Sequence, residues 1–367
     1  MNEGKKKSLD LVMKTKGRGA SSNVSGRFNH QQREYDLTDA DHYVDEEEIP
    51  DLKTQFLIDN TKTILNKYDS PDLGSGVSLN PYRGCEHGCI YCYARPTHEY
   101  FNLSAGLDFE SKIFYKEKAP ELLRNEMMNH KWQPQTIMMS GITDCYQPVE
   151  RKMQITRRCL EVMAEFKNPV AIITKNFLVT RDVDIYAEMA KENLALVCIS
   201  LTSLDESLAR TMEPRTSPPQ RRLEAIRILS EAGVPVVVNL APIVPGLTDH
   251  EIPKLLEAAA KAGAKSANYV LARLPYSVKD LFVEWLEKNY PEKKDRVVGA
   301  IRDMRDGKLY DADFETRMTG TGAQAENIAE MFHLFRRKYF PPGFSYKLRK
   351  DLFQRPPVAG DQLSFDV

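Results

Sequence analysis

The chain has 367 residues, 42% of them hydrophobic and 28% charged, and its 51 basic and 52 acidic residues leave a formal net charge of -1. These values are typical of a globular protein with a sizeable core, and they argue against a nucleic-acid binder that acts through a globally basic surface, while a local basic patch stays compatible with them. No apolar stretch reaches the length of a membrane span or a secretory signal, so the sequence predicts a cytoplasmic protein that does not enter a membrane. Its six cysteines are too few for a fold stapled by disulfides.

Residues 1–55 are predicted to form a poorly ordered N-terminal extension. A lysine-rich start is followed by the stretch GRGASSNVSGR and then by the acidic block DLTDADHYVDEEEIPD. Few large apolar side chains are available there to offset the entropy of ordering the chain. A solvated tail is the simplest interpretation, and the alternative is that the basic residues contact nucleic acid or a partner protein.

Residues 56–275 are predicted to form the main domain, because short apolar runs alternate there with segments of helical period. The runs are GVSLN (76–80), TIMMSG (136–141), PVAIITK (169–175), LALVCISLT (194–202), VPVVVNLAPIV (234–244) and AKSANYVLARL (264–274). The helical segments include RKMQITRRCLEVMAEF, PPQRRLEAIRILSEAG and TDHEIPKLLEAAAKAG. Such alternation is typical of a parallel sheet that is covered on both faces. Six such units in about 200 residues favour an α/β fold of the partial (β/α)6 TIM-like barrel type over an open sheet.

Residues 276–367 are predicted to form a C-terminal helical extension and tail. The segments LFVEWLEKNY, DRVVGAIRDMRDG and AENIAEMFHLFRRKYF have the apolar periodicity of helices. From residue 336 onward, basic and aromatic side chains are interleaved, a composition that suits single-stranded nucleic acid. It suits equally a segment that docks on the barrel with its cations in water, which is the commoner case.

The stretch GCEHGCIYCYA, residues 84–94, contains half of the cysteines: Cys85, Cys89 and Cys92. It follows the first predicted strand, so it lies at the C-terminal edge of the sheet, where parallel α/β folds bind ligands. Burial as small apolar residues does not fit the polar neighbours, and a disulfide does not fit a reducing compartment. A structural zinc site needs four ligands, and His87 is too close in sequence to its flanking cysteines to complete one.

Three thiolates fit a four-iron cluster in which one iron has no protein ligand. Cysteines spaced by three and then by two residues can wrap one face of a cuboidal cluster, and Gly84 and Gly88 allow the tight turns. The open iron can then accept an exogenous bidentate ligand, such as the amino and carboxylate groups of an amino acid.

The segment CEHGCIYC matches the CxxxCxxC signature of the radical S-adenosylmethionine (radical SAM) superfamily, including the aromatic residue before the third cysteine. Its surroundings, NPYRGCEHGCIYCYAR, resemble the spore photoproduct lyase-like branch, which is related to DNA repair photolyases, and within it a bacterial group of unassigned activity. The resemblance runs from GRGASSNVSGRF to a C-terminal GDQL element. It implies a barrel of the radical SAM type that holds a [4Fe-4S] cluster and S-adenosyl-L-methionine at its C-terminal mouth.

The resemblance also implies a reaction. A one-electron reductant such as flavodoxin or ferredoxin reduces the cluster, and S-adenosyl-L-methionine is cleaved to methionine and a 5′-deoxyadenosyl radical that abstracts hydrogen from the substrate. The protein supplies orientation, a low potential and the exclusion of water. The resemblance leaves the substrate open, with a nucleic acid undergoing lesion repair or modification as the candidate.

By the same resemblance, five residues contact the cosubstrate. Tyr91 stands at the aromatic position that meets the adenine, and Ser140 and Gly141 stand at the motif near the amino group. Lys175 ends the third strand and Ser200 lies in the fourth, and residues of these types at such positions contact the methionine moiety. For each of them, a packing residue or a solvated strand end is the alternative.

The sequence departs from spore photoproduct lyases at their hydrogen donor. Those enzymes have a cysteine on the second strand, close before the serine, where this chain reads IMMS and has Met138 or Met139. Because a thioether does not donate hydrogen as a thiol does, reversal of a thymine dimer by that mechanism is not expected. Cys145 and Cys198 are the candidate replacement donors, although an isolated cysteine in an apolar run more often packs in a core.

Two functions from different classes follow from the sequence. The first is a radical SAM enzyme, and the alternative is a non-catalytic, zinc-stabilised module that binds nucleic acid or protein through its basic, aromatic tail. The missing fourth ligand and the six βα units favour the enzyme.

Overall fold

The computed structural model describes residues 17–28, 52–72, 74–344 and 346–357. The strands in this part of the chain are β1 (Gln55–Ile58), β2 (Leu65–Ser70), β3 (Gly74–Leu79), β4 (Tyr82–Arg83), β5 (Lys112–Tyr115), β6 (Ile137–Met139), β7 (Val170–Thr174), β8 (Ala195–Ser200), β9 (Val236–Ile243) and β10 (Ser266–Leu271).

Seven of these strands form one curled sheet, in the order β10-β9-β8-β7-β6-β3-β2. Strands β3, β6, β7, β8, β9 and β10 pair with their neighbours in parallel, and β2 pairs with β3 in the antiparallel direction. The six parallel strands coincide with the six apolar runs of the sequence. The sheet remains open between β10 and β2, so the predicted partial (β/α)6 barrel is confirmed.

Alternation along each strand separates a packed outer face from an open inner face. In β9, Val236, Val238 and Leu240 are fully buried, whereas Asn239 and Ala241 are partly exposed. The buried residues face the helices, and their β-branched side chains favour the extended backbone. The partly exposed residues line the concave inner face of the half-barrel.

In the described residues, the last three helices come after the last strand, and the others come before it in the chain. They are α1 (Leu107–Ser111), α2 (Ala119–Met128), α3 (Glu150–Met153), α4 (Ile155–Glu165), α5 (Val183–Lys191), α6 (Glu206–Met212), α7 (Pro219–Glu231), α8 (Ile252–Lys261), α9 (Val278–Asn289), α10 (Pro291–Asp303) and α11 (Gly322–Tyr339), with 3-10 helices at Arg95–Phe101, Phe177–Asp182 and Asp249–Glu251. The helix predicted over 151–166 is divided at Gln154, whose φ of 51° interrupts the right-handed backbone. None of the described helices is both long and apolar enough to span a bilayer.

A second sheet, which the sequence did not predict, has three strands in the order β1-β5-β4. Its strand β4 directly precedes the cysteine loop, and β5 pairs with β4 in the antiparallel direction. This sheet therefore supports the entry into the loop.

Part of the predicted N-terminal extension is packed against the rest of the chain. Within residues 17–28, the backbone N–H groups of Gly19 and Ala20 each donate to the carboxylate of Glu110 at 2.9 Å, and Ala20 is buried. Composition does not reveal such long-range hydrogen bonds. Residues 17–28 are thus held by specific contacts, most of the remaining extension lies outside the described residues, and the boundary at residue 55 stays a prediction.

The basic tail docks on the N-terminal face of the barrel. Arg336 donates to the carbonyl of Ala267 at 3.0 Å, at the start of β10, and the N–H of Arg349 donates to the carbonyl of Asn193 at 2.9 Å, just before β8. The N-terminal ends of the strands lie opposite the mouth that carries the cysteines. The docked interpretation of this tail therefore fits the structure better than a role at the mouth.

Candidate active site

The three clustered cysteines lie on the loop that follows β4, and β4 begins three residues after β3 ends at the C-terminal edge of the seven-stranded sheet. Cys85 and Cys89 are buried, Cys92 is partly exposed, and all three are free thiols. The N–H of Gly88 donates to the carbonyl of Cys85 at 3.3 Å, and that of Cys92 to the carbonyl of Cys89 at 3.2 Å, so the loop turns after each of the first two cysteines. Burial raises the pKa of all three thiols, and Asp144, Cys89 and Cys92 raise that of Cys85 further.

A buried ion pair fixes the backbone of this loop. Arg95 and Glu110 are both fully buried and are paired through Nη2 and Oε1. The Arg95 guanidinium also donates to four backbone carbonyls at 2.9–3.0 Å, those of Gly88, Cys89, Ala105 and Gly106. Since a buried cation is stable only when it is fully paired, this arrangement positions the loop as one unit.

Gly88 meets two requirements that a larger residue does not. Its φ is 67°, in the left-handed region, and a Cβ at this position would lie 2.7 Å from Oε2 of Glu110. Glycine alone adopts this backbone without strain and allows the close approach. Gly88 therefore lets the cysteine loop pack directly on the buried ion pair.

His87 is occupied by other contacts. Its Nδ1 lies 3.4 Å from Oδ2 of Asp144, and its Nε2 lies 3.0 Å from Nδ2 of Asn176. The Oδ1 of Asn176 accepts from the N–H of Leu178 at 3.0 Å and from the Ser217 hydroxyl at 3.2 Å, so Nδ2 faces the imidazole and donates to it. Nδ1 then carries the proton and points to Asp144. Both ring nitrogens are engaged, which agrees with the argument against His87 as a fourth ligand.

Tyr91 leads to a buried ionic cluster that the sequence analysis missed. The Tyr91 hydroxyl and the Arg222 guanidinium both donate to the carboxylate of Glu213, Thr202 donates to it at 2.8 Å, and Nζ of Lys175 lies 3.9 Å from it. Burial alone would raise the pKa of Glu213, but Arg222, Lys175 and Tyr91 lower it to about 2. Glu213 is therefore a carboxylate at neutral pH that holds Tyr91 and Lys175 in place.

Lys175 retains capacity to bind a ligand. Its Nζ donates to the carbonyl of Ala241 at 3.0 Å and lies 5.9 Å from the ring centre of Tyr91. An ammonium has three N–H groups, and the contact with Glu213 is long. The side chain is partly exposed on the inner face, so it can pair with a carboxylate there.

Ser140 and Gly141 follow β6 at the same edge. The hydroxyl of Ser140 accepts from the N–H of Cys145 at 2.9 Å, which leaves its own proton available for donation. The carbonyl of Gly141 accepts from the hydroxyl of Tyr93 at 2.5 Å, and Tyr93 directly follows the third clustered cysteine. Ser140 has a φ of 69°, and backbone strain of this kind is concentrated at functional sites.

Ser200 belongs to a polar row on the inner face. The register of the sheet aligns Ser200 with Asn239 of β9, and Asn239 with Asn268 of β10. Oδ1 of Asn239 is buried and has no hydrogen-bond partner among the described residues. Because an unpaired buried amide oxygen costs free energy, the row is suited to bind a polar ligand.

The two candidate hydrogen donors lie in different surroundings. Cys145 is fully buried in the core, so the structure does not bring its thiol to the mouth. Cys198 is partly exposed on the inner face, where burial raises its pKa to about 12 and Lys175 opposes the shift. Met138, and not the fully buried Met139, shares this inner face.

The donor set fits the two groups that the resemblance implies. Each cysteine of a [4Fe-4S] cluster binds a different iron, so the three thiols need not surround a common point, and no three His, Cys, Asp or Glu side chains do so in the described ranges. The ammonium of Lys175 and the unpaired oxygen of Asn239 offer complementary groups to the carboxylate and the N–H donors of S-adenosyl-L-methionine.

Comparison with known proteins gives the family. The family model of the radical SAM superfamily matches residues 79–259. An uncharacterized protein of Mycobacterium tuberculosis (strain ATCC 25618 / H37Rv) is 35% identical over 234 residues, which are 63% of this chain and 69% of that protein. An uncharacterized protein of Methanocaldococcus jannaschii is 28% identical over 219 residues, which are 60% of this chain and 78% of that protein.

Two further comparisons are more distant. The radical SAM Nalpha-GlyT isomerase of Pseudomonas phage M6 is 22% identical over 226 residues, which are 61% of this chain and 45% of that protein. The structure of spore photoproduct lyase complexed with dinucleoside spore photoproduct matches with a TM-score of 0.53 at 16% identity, over 78% of this chain and 80% of that chain. This structural match shows the shared fold. The matched family model and the mycobacterial relative lead to one conclusion: the chain belongs to the radical SAM superfamily and is a radical SAM enzyme.

Proposed function

We propose that this protein binds a [4Fe-4S] cluster through Cys85, Cys89 and Cys92, binds S-adenosyl-L-methionine beside it, and acts on a nucleic-acid substrate in the cytoplasm. The observation that carries the proposal is the meeting of a loop with three free thiols and the Lys175–Glu213 cluster at one edge of the sheet. When bound, these groups supply one-electron cleavage of a carbon–sulfur bond, which yields a hydrogen-abstracting 5′-deoxyadenosyl radical. The electron would come from a one-electron reductant such as flavodoxin or ferredoxin.

The residues of this chain would bind and orient the cosubstrate. Lys175, whose Nζ lies 3.9 Å from the carboxylate of Glu213, would pair with the cosubstrate carboxylate together with the hydroxyl of Ser200. Ser140 and Gly141 would meet the amino group, and Tyr91, which is fixed through its hydroxyl, would border the adenine. In this arrangement Glu213 is a positioning residue for the two side chains that it holds.

The inner face supports one of the two proposed hydrogen donors. The Cys198 thiol is partly exposed there, whereas Cys145 is enclosed in the core. Ile173 and Val237, the neighbours of Cys198 in the sheet, are apolar and limit the access of water and of competing donors. Cys198 is therefore the proposed donor that the structure favours.

The nucleic-acid part of the proposal is supported by one structural neighbour. Spore photoproduct lyase, which shares the fold, was solved with dinucleoside spore photoproduct. The substrate of this chain is proposed and not inherited from that protein.

Anaerobic reconstitution tests the proposed function. The wild-type protein is expected to be brown, to contain iron and sulfide, and to form 5′-deoxyadenosine from S-adenosyl-L-methionine and dithionite. Cys85→Ala, Cys89→Ala and Cys92→Ala are each expected to lose both properties. Cys159→Ala is the matched control, because Cys159 is a free cysteine on α4 that is buried away from the mouth.

Three results would contradict the proposal. Colourless protein with one bound zinc would support the zinc-stabilised binding module instead. Retention of iron and turnover in any of the three loop variants would exclude the assigned ligands. Equal yields of 5′-deoxyadenosine with and without every nucleic acid tested would remove the nucleic-acid part and leave the cleavage chemistry.

A further inference from the structure

Two arginine side chains meet at the mouth, close to the cysteine loop. Arg273 comes two residues after the end of β10, and its guanidinium carbon lies 5.5 Å from the ring centre of Tyr93. Arg305 comes two residues after the end of α10 and is only 2% exposed. Tyr93 itself is 49% exposed, so the side of the mouth that Arg273 borders is open to a ligand.

The two guanidinium groups contact residues that are adjacent in the chain, Arg317 and Met318. Nη2 of Arg305 donates to the carbonyl of Ala272 at 2.8 Å and to that of Arg317 at 3.2 Å. Nη1 of Arg273 lies 3.4 Å from the sulfur of Met318. The two cations are therefore neighbours, with Arg305 as the buried member and Arg273 as the partly exposed one.

Several of their N–H groups have no acceptor. Nε of Arg273 and both Nε and Nη1 of Arg305 are buried without a hydrogen-bond partner in the part of the chain that the structure describes. Burial lowers the pKa of Arg305; Asp311 opposes that shift and Arg273 adds to it. Asp311 accepts instead from the hydroxyl of Thr316 at 2.6 Å. Two adjacent cations with unpaired buried donors are unfavourable unless an anion completes them.

Aromatic and basic side chains continue from this pair along the rim. The rings of Tyr276 and Tyr310 lie 6.1 Å apart, and the guanidinium of Arg27 lies 3.9 Å from the ring centre of Tyr276, which is 51% exposed. The two tyrosines, with Lys279 and Lys308, line a cavity of about 260 Å³. Exposed aromatic faces among cations suit the stacking of unpaired bases beside a phosphate backbone.

We propose that Arg273 and Arg305 bind a phosphodiester group of a nucleic-acid substrate, with an adjoining base beside the exposed part of the Tyr276 ring. A phosphate offers several oxygens to the unpaired N–H groups, and guanidinium is the cation best matched to it. Since Arg273 lies against Tyr93, the bound phosphate places the neighbouring nucleotide at the mouth. This inference rests on the proposed function and specifies how the substrate of that site is held.

Oligonucleotide binding to the cluster-loaded full chain tests the inference. The probe is fluorescent oligothymidylate, titrated anaerobically with S-adenosyl-L-methionine present and followed by anisotropy over a series of salt concentrations. Arg273→Gln is expected to weaken binding by about tenfold or more. It is also expected to reduce the slope of log K against log salt by about one. Arg305→Gln is expected to act in the same direction.

A matched control removes the same charge from elsewhere on the surface. Arg124→Gln breaks an exposed pair with Glu165 and is expected to change the affinity by less than about twofold. Unchanged affinity and salt slope in Arg273→Gln would overturn the inference. So would competition by oligo-glutamate as strong as that by unlabelled oligothymidylate, because the pair would then bind carboxylates. If Arg305→Gln does not fold, Arg273→Gln alone decides.

The failure of this inference is distinguishable from the failure of the proposed function. Absence of 5′-deoxyadenosine from loaded wild-type protein with dithionite contradicts the proposed function, on which the inference rests. Formation of 5′-deoxyadenosine together with equal oligonucleotide binding by wild type and Arg273→Gln contradicts the inference alone.

Discussion

Two buried arginines near the mouth differ in whether the protein itself supplies all of their hydrogen-bond and charge partners. Arg95 is fully buried, is paired with Glu110 and donates to four backbone carbonyls. Arg305 is as deeply buried, but Nε and Nη1 have no partner among the described residues, and Arg273 adds a second positive charge beside it. The first cation has all its partners within the protein, and the second does not.

The difference indicates two roles: Arg95 supports the cysteine loop, and the Arg273–Arg305 pair is suited to receive a ligand. Every interaction of Arg95 is made within the fold, so it holds the cysteine loop whether or not a ligand is present. A desolvated cation without an opposite charge is a stability cost that a bound anion removes. The contrast can be tested through the unfolding free energy. A substitution in the fully paired Arg95–Glu110 cluster should lower it strongly, and a substitution in the incompletely paired Arg273–Arg305 cluster should change it little.

The largest expected effect is that of Glu110→Gln, which keeps the shape of the side chain and removes the charge opposite Arg95. Breaking a buried pair in this way is expected to cost about 3–5 kcal/mol of unfolding free energy, measured by urea denaturation of the metal-free protein. The iron content after reconstitution should fall as well, since the loop backbone loses its anchor. In Glu165→Gln, which breaks an exposed pair, the loss should stay below about 1 kcal/mol. Equal losses in the two variants would contradict the anchoring role.

Glu213→Gln tests a second complete cluster through its pH dependence. The pKa of Glu213 is lowered from 4.5 to about 2 in the folded protein. Between these pH values the unfolded chain therefore binds more protons at this residue than the folded protein does. The stabilisation, on the order of 3 kcal/mol, is fully present above about pH 4.5 and is lost as the pH approaches 2. The melting temperature of the wild type should therefore fall steeply over this pH range. The melting temperature of Glu213→Gln should fall less steeply over the same range. A variant curve as steep as that of the wild type would show that other carboxylates control the acid transition.

Gly88→Ala is expected to have an intermediate effect that a second glycine calibrates. Gly88 and Gly233 both have left-handed backbones, with φ of 67° and 81°, which cost an alanine about 1–2 kcal/mol. A Cβ at Gly233 has no neighbour within 4 Å, whereas one at Gly88 lies 2.7 Å from the Glu110 carboxylate. The additional loss in Gly88→Ala, compared by urea denaturation, measures the contact with the buried pair. Equal losses would mean that the loop shifts without disturbing Glu110.

Much of the fold can be predicted from sequence, because the parallel strands are marked locally. Each of the six runs, such as the one over 234–244 that becomes β9 (Val236–Ile243), combines β-branched residues with a following helix. The short strands β1 and β5 have no such local pattern. They are stabilised by pairing with each other over a long sequence separation, which a local pattern does not reveal. The order of residues 17–28 has the same kind of origin, in hydrogen bonds to Glu110.

The candidate site divides in a similar way. The three cysteines, Lys175 and Ser200 follow a motif or end a strand, and they can be found by reading along the chain. Glu213 and Arg222 belong to no motif. They become significant only when the fold brings both to Tyr91 and Lys175, and the only local signal is charge in the segment after β8. Long-range charge pairing in a buried cluster is set by topology, which the local pattern does not contain.

The smallest effect is expected for Arg305→Met, and it decides whether Arg95 and Arg305 differ in their structural roles. Replacement removes the hydrogen bonds from Nη2 to the carbonyls of Ala272 and Arg317, each worth about 1 kcal/mol, but it also removes an uncompensated buried charge. Apolar replacement of buried charged groups is often neutral or stabilising, so the unfolding free energy in phosphate-free buffer should change by less than about 1 kcal/mol. A loss as large as that in Glu110→Gln would show that Arg305 is completed within the protein. The two arginines would then have the same structural role, and the case for an anion between Arg273 and Arg305 would lose its energetic basis.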